Sequence, residues 1–187
     1  TAREWLYNWS QRVVPDTFVI LGGEPTLNDE LTDIVYLVRM IYPDPAVKID
    51  LVSNASFLHK HPRLPQALLA TQTNLAISIH STKHKEYVKR FKGGYKLAKS
   101  WKHELGVHVE FWDFTNTHWI PQYTGFGNTM VPYEDNNPRL SWEKCLSKHA
   151  LQIHEGKLWK CPALAYLPMQ ANKYKLSQKW DNYLKYK

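Results

Sequence analysis

The chain has 187 residues, 43% apolar and 13% aromatic, with a formal net charge of +7. That is enough apolar material for a buried core, which excludes a disordered chain, and two cysteines are too few for a small disulfide-stapled secreted scaffold. No apolar run approaches the ~18 residues of a membrane-crossing helix and no leader of charged then apolar residues opens the chain, so the expectation is a cytoplasmic protein without a membrane partner.

In chain order, residues 2–12 predict a helix with Trp5, Leu6 and Trp9 on one side. Thr17–Leu21 is a short β-branched run and predicts a strand buried on both faces. Thr26 is placed to cap a helix, with Asp29 three residues on and Leu27, Leu31, Ile34, Val35, Val38 and Ile41 at helical spacing. Pro43 and Pro45 stop it. Val47–Ser53 predicts a second strand, residues 54–65 an irregular connection, and Gln66–Ala70 a short helical turn. Leu75–Ile79 predicts a third strand, Lys83–Leu105 a helix interrupted or weakened at Gly93-Gly94, and Val107–Phe114 a fourth strand. Strands alternating with helices predict βα units, a parallel sheet and right-handed crossovers.

Residues 115–140 are rich in Gly, Pro and Asn and read as an irregular loop, either functional or mobile. Its aromatic residues Trp119, Tyr123, Phe126 and Tyr133 carry no assigned role. Leu151–His154 and Lys157–Lys160 predict a β-hairpin turning at Glu155-Gly156. Tyr174, Leu176, Trp180, Tyr183 and Leu184 suit a terminal helix. The expected division is a βα region over 1–114, a loop over 115–140, and a hairpin with a basic tail over 141–187.

The candidate site is the turn Gly22-Gly23-Glu24-Pro25. Two glycines at a strand end let a ligand approach the peptide groups. A carboxylate there accepts hydrogen bonds from an ammonium group, and Pro25 fixes the exit into a helix. Ligands bind at the carboxyl ends of parallel strands. A tight βα turn with no ligand is the plainer reading of the same residues.

The segment Leu21-Gly22-Gly23-Glu24-Pro25-Thr26-Leu27 resembles the glycine-rich motif of the radical S-adenosylmethionine (SAM) superfamily. The next strand end, Leu51-Val52-Ser53-Asn54-Ala55, stands where that family often has Thr-Asn-Gly. The third, Ile77-Ser78-Ile79-His80, stands where it often has Ser-x-Asp. Asn54 and Ser78 match; Ala55 replaces a glycine and His80 an acid. The resemblance implies an α/β fold, a partial (β/α) barrel of parallel strands with a small C-terminal β-hairpin appendage. It implies SAM held by Gly22, Gly23, Glu24, Asn54 and Ser78, with Glu24 accepting from the methionyl amino group. It also implies a [4Fe–4S] cluster that reduces SAM to a 5′-deoxyadenosyl radical for hydrogen abstraction, and a peptide or protein substrate. The family's Cys-x3-Cys-x2-Cys loop is absent from these residues. The expectation is a chain that starts, at Thr1, after that loop and is inactive alone.

Cys145 and Cys161, with Gly156 between them and Pro162 after, resemble the start of the auxiliary-cluster appendage called SPASM or twitch. The resemblance makes both metal ligands, with His149 and His154 as neighbours that could add a third; a stray buried pair is the alternative. Lysines concentrate in Lys83–Lys102 and again in the tail from Lys173. They suit either a solvated helix face or contact with an acidic partner or nucleic acid, the latter in a noncatalytic binding module. A different α/β protein with the same turn by coincidence would show a switch in strand order.

Overall fold

The computed structural model describes residues 1–117, 122–134, 137–145 and 147–185. The chain forms two compact units, Leu6–Thr117 and Thr1–Trp5 with His118–Lys187. Helix α1 (Ala2–Ser10) spans their boundary and buries Leu6. No helix among the described residues is long and apolar enough to cross a membrane.

In the larger unit, β1 (Thr17–Ile20), β2 (Lys48–Ser53), β3 (Thr73–Ile79) and β4 (Val109–Asp113) form one parallel sheet. Their order is β1-β2-β3-β4, with no switch point. Parallel neighbours cannot be joined by a tight hairpin, so each connection is a helical crossover. These are α2 (Leu31–Ile41), α3 (Leu64–Thr71) and α4 (Lys85–Glu104). The sheet stays open among the described residues, with β1 and β4 at its edges and no closed barrel. Leu31, Val35 and Val38 of α2, Leu64 and Leu68 of α3, and Ile49, Leu51, Leu75, Ile77 and Val109 of the strands form the buried core.

Three expectations change here. Among the described residues β1 pairs with β2 alone and is an edge strand, and it leaves Val19 44% exposed. Thr26 is not the helix cap: the Glu24 side chain caps a 3₁₀ turn at Pro25–Leu27, and α2 starts later, at Leu31. Helix α4 runs unbroken through Gly93-Gly94.

The far end of the sheet, away from the strand termini that carry the candidate site, is held by Arg39. Its Nε donates to the Thr71 carbonyl at 2.8 Å. Its Nη1 reaches the carbonyls of Asp44 (3.0 Å), Tyr42 (3.2 Å) and Val47 (3.2 Å). One guanidinium thus satisfies carbonyls at the end of α2, at the end of α3 and just before β2, a fork of donors that lysine cannot reproduce.

The two glycines of α4 have opposite reasons. A Cβ at Gly94 would lie 1.7 Å from the Ala55 carbonyl oxygen, so α4 rests directly on the backbone after β2. A Cβ at Gly93 would meet nothing within 4 Å. Ala55 itself is fully buried with φ +64, the left-handed conformation that glycine prefers.

The smaller unit holds two short antiparallel pairs, β5 (Tyr123–Thr124) with β6 (Val131–Pro132), and β7 (Gln152–His154) with β8 (Lys157–Trp159). The second pair is the expected hairpin, with Glu155 and Gly156 at positive φ. Residues 122–134 are more regular than expected, since β5 and β6 pair around a turn with Gly125 and Gly127 at positive φ. Trp119 lies outside the described residues. Helices α5 (Pro138–Lys144) and α6 (Pro162–Tyr174) each start on a proline in the first turn. The expected terminal helix is displaced: α6 ends at Tyr174, and a 3₁₀ turn leads into α7 (Asp181–Leu184). Met130, Leu167 and Trp180 form this unit's core, and the Trp180 indole donates to the Met130 carbonyl at 2.9 Å.

Denaturant unfolding separates the two α4 glycines. Gly93→Ala is expected to raise stability by ~1 kcal/mol, the helix-propensity difference. Gly94→Ala is expected to lower it by about 3 kcal/mol, because displaced backbone outweighs that gain. Equal effects of the two substitutions would contradict the packing of α4 on Ala55.

Candidate functional site

The sheet order brings the carboxyl ends of β1, β2 and β3 side by side, and with them the segments Gly22–Glu24, Ser53–Ala55 and Ser78–His80. Glu24 ties the first two together. Its Oε1 accepts from the Thr26 hydroxyl (2.6 Å), the Ser53 hydroxyl (2.7 Å) and the Thr26 amide (3.1 Å). Its Oε2 accepts from the Asn54 amide at 2.8 Å. A carboxylate offers about four lone-pair sites. These bonds leave Oε1 saturated and Oε2 with room for one further donor.

Thr26 is fully buried, and its carbonyl is paired with His61 Nε2 at 2.9 Å. Ser53 is the relay: its hydroxyl donates to Glu24 and accepts from the Ala55 amide at 3.0 Å. Neither Ser53 nor Thr26 was assigned a site role from sequence. The one available signal was a hydroxyl at the end of an apolar strand.

Gly22 and Gly23 differ from Gly94. Neither has a positive φ, and a Cβ at either would meet nothing within 4 Å. Nothing in the fold requires a glycine at these two positions. Their peptide groups lie open at the end of β1, where an approaching ligand would meet backbone.

The remaining candidates have internal partners. Asn54 Oδ1 accepts from the Ser56 amide at 2.9 Å, the local turn bond typical of asparagine. The buried Ser78 hydroxyl donates to the Ser53 carbonyl (3.3 Å) and pairs with His80 Nε2 (3.1 Å). The His80 ring stacks on Phe114 with centroids 5.9 Å apart. Tyr87 of α4 closes this corner: its hydroxyl accepts from the His80 amide (3.0 Å) and donates to the Ser78 carbonyl (3.2 Å). Burial pushes the Tyr87 phenol above its ordinary value, the His80 amide opposes this, and the Glu24 charge adds to it.

The second candidate site lies in the smaller unit. Cys145 ends α5 and Cys161 precedes α6; both are free thiols and half-buried. Cys161 belongs to the wall of a largely apolar cleft of about 320 Å³, whose aromatic residues include Tyr123, Tyr133, Tyr166 and Trp180. The His154 ring meets the Tyr166 ring edge-on at 4.7 Å, and the His149 ring meets the Trp142 ring at 6.1 Å. Among the described residues no three His, Cys, Asp or Glu side chains gather as a metal site.

Comparison with family models, with curated proteins and with solved structures gives no match for this chain. A functional reading therefore rests on its own residues and strand order.

The Tyr87 phenol has a pH signature. A pKa raised on folding means that the stabilisation is present below the unfolded value of about 10 and is lost as pH rises through the folded value. Urea unfolding between pH 9 and 11.5 is expected to show falling stability in the parent chain and a shallower fall in Tyr87→Phe. Near neutral pH the same variant is expected to be less stable by about 1–2 kcal/mol, the penalty for leaving the His80 amide and Ser78 carbonyl without that partner.

Proposed function

We propose that the carboxyl edge of β1, β2 and β3 is one wall of a SAM-binding site of the radical SAM type, in a sheet that is part of a (β/α) barrel. The observation that carries this reading is the Gly22-Gly23 pair, with open peptide groups beside Glu24 and no structural demand for glycine. The consecutive parallel order supports it, since a doubly wound sheet would show a switch point. The left-handed backbone at Ala55, where that family often has glycine, supports it further.

In this reading the chain's residues bind and orient. The Gly22 and Gly23 peptides accept close approach by the methionyl end of the ligand. Glu24 Oε2 offers its remaining acceptor site to the amino group, while Oε1 keeps the turn fixed. A carboxylate already held by four bonds needs no reorganisation when an ammonium arrives, which favours binding through preorganisation. Bound SAM supplies a sulfonium centre whose carbon–sulfur bond is the reactive one. Ser78 and Asn54 shape the wall through their turns; direct contact with the ligand would require their present partners to be exchanged. Cys145 and Cys161 are proposed as two ligands of a cluster completed by groups other than the described residues. No step of a reaction is assigned to that cluster.

Isothermal titration of the chain with SAM tests the site. Saturable binding is expected, weakened at least tenfold by Gly23→Val. Thermal stability should stay within ~0.5 kcal/mol of the parent, because Gly23 is exposed, has no positive φ, and a Cβ there meets nothing within 4 Å. Absence of SAM binding, or equal binding by Gly23→Val, would overturn the reading.

A further inference from the structure

Helix α4 is amphipathic in an unusual sense: one side is core and the other is a single line of cations. At 100° per residue, Lys85, Lys89, Lys92, Lys96 and Lys99 fall within an arc of about 80°, and His103 continues the line. Phe91, Gly94, Ala98 and Trp101 lie on the opposite side and are buried. The lysines span about 21 Å of helix axis at 1.5 Å per residue. All are exposed.

The helix does not need this arrangement for itself. Like charges three and four residues apart destabilise a helix. Lys85 and Lys89 also stand near the N-terminus, where the helix dipole disfavours cations. Glu86 and Glu104 lie about 100° around the helix from the centre of the line. Among the described residues no carboxylate forms an ion pair with any of these lysines. Lys99 lies over the Tyr95 ring at 4.7 Å, and Tyr95 is itself packed on Phe91 and Phe111. Lys102 is outside the line and donates to the Val109 carbonyl.

We propose that this lysine line binds the phosphate backbone of a nucleic acid without reading its sequence. A membrane surface is disfavoured because an interfacial helix inserts an apolar face, and the apolar side of α4 is already buried. An acidic protein partner is disfavoured because such interfaces centre on aromatic or arginine anchors in pockets, and the line holds lysines with no free aromatic. Evenly spaced, flexible ammonium groups match a repeating row of phosphates. The proposal is independent of the SAM site.

The test is fluorescence anisotropy of the whole chain with a labelled 20-base-pair duplex and a labelled 20-nucleotide single strand, each from 25 to 300 mM salt. With the five lysines engaged, log K is expected to fall against log salt with a slope of about −4.5 on the duplex or −3.5 on the single strand. Lys92→Glu with Lys96→Glu is expected to weaken binding more than tenfold and to flatten the slope by about 1.4–1.8. Lys173→Glu with Lys175→Glu in the tail is expected to leave both unchanged, and circular dichroism checks that each variant is folded. No binding at 25 mM salt would overturn the proposal. So would an unchanged slope in the α4 variant, loss in the tail variant alone, or equal binding to poly-glutamate or anionic vesicles.

Discussion

Everything at the candidate site depends on one carboxylate. Glu24 accepts two bonds from Thr26 of its own turn and one each from Ser53 and Asn54 at the next strand end, and it thereby ties β1 to β2. Charge-assisted bonds of 2.6–2.8 Å are among the stronger ones in a protein. They lie at the mouth of the sheet, where backbone pairing has ended and strands would otherwise diverge. The glycines before Glu24 can stay open because the residues after it are held. Rigidity and access are divided between neighbouring residues, which is what a binding edge needs.

The same logic extends to β3. Ser78, His80 and Tyr87 close a small ring of bonds that anchors the start of α4 to the strand end. Further along, Gly94 lets α4 sit on the Ala55 carbonyl. Helix α4 thus touches the site at two points, while its outer side carries the lysine line. Its buried side packs on the sheet unit and its lysines lie on the opposite, exposed side.

The alternation of strands and helices was legible because periodicity changes between 2 and 3.6 are local. The Gly22-Gly23-Glu24 turn was legible as a candidate site because glycine and a carboxylate at a strand end carry their chemistry in their type. Ser53 was not, because its role comes from lying beside Glu24 once β1 and β2 pair in register, and register is a property of the sheet. Gly93 and Gly94 look alike in sequence; the difference is the carbonyl that approaches one of them. The edge position of β1 was missed for a related reason. A short apolar run has the same appearance in the centre of a sheet and at its rim, and its neighbours decide. Helix α6 went unread because Pro168 lies inside it and masks its period.

Arg39 has a consequence for how the larger unit comes apart. The end of α2, the end of α3 and the entry to β2 would in many proteins be closed by separate caps that fray one at a time. Here one side chain serves all of them. When that guanidinium leaves, several carbonyls lose their donor in the same event. The base of the sheet is therefore built to open in concert, as one cooperative element in hydrogen exchange, while the opposite end is held by a separate anion, Glu24.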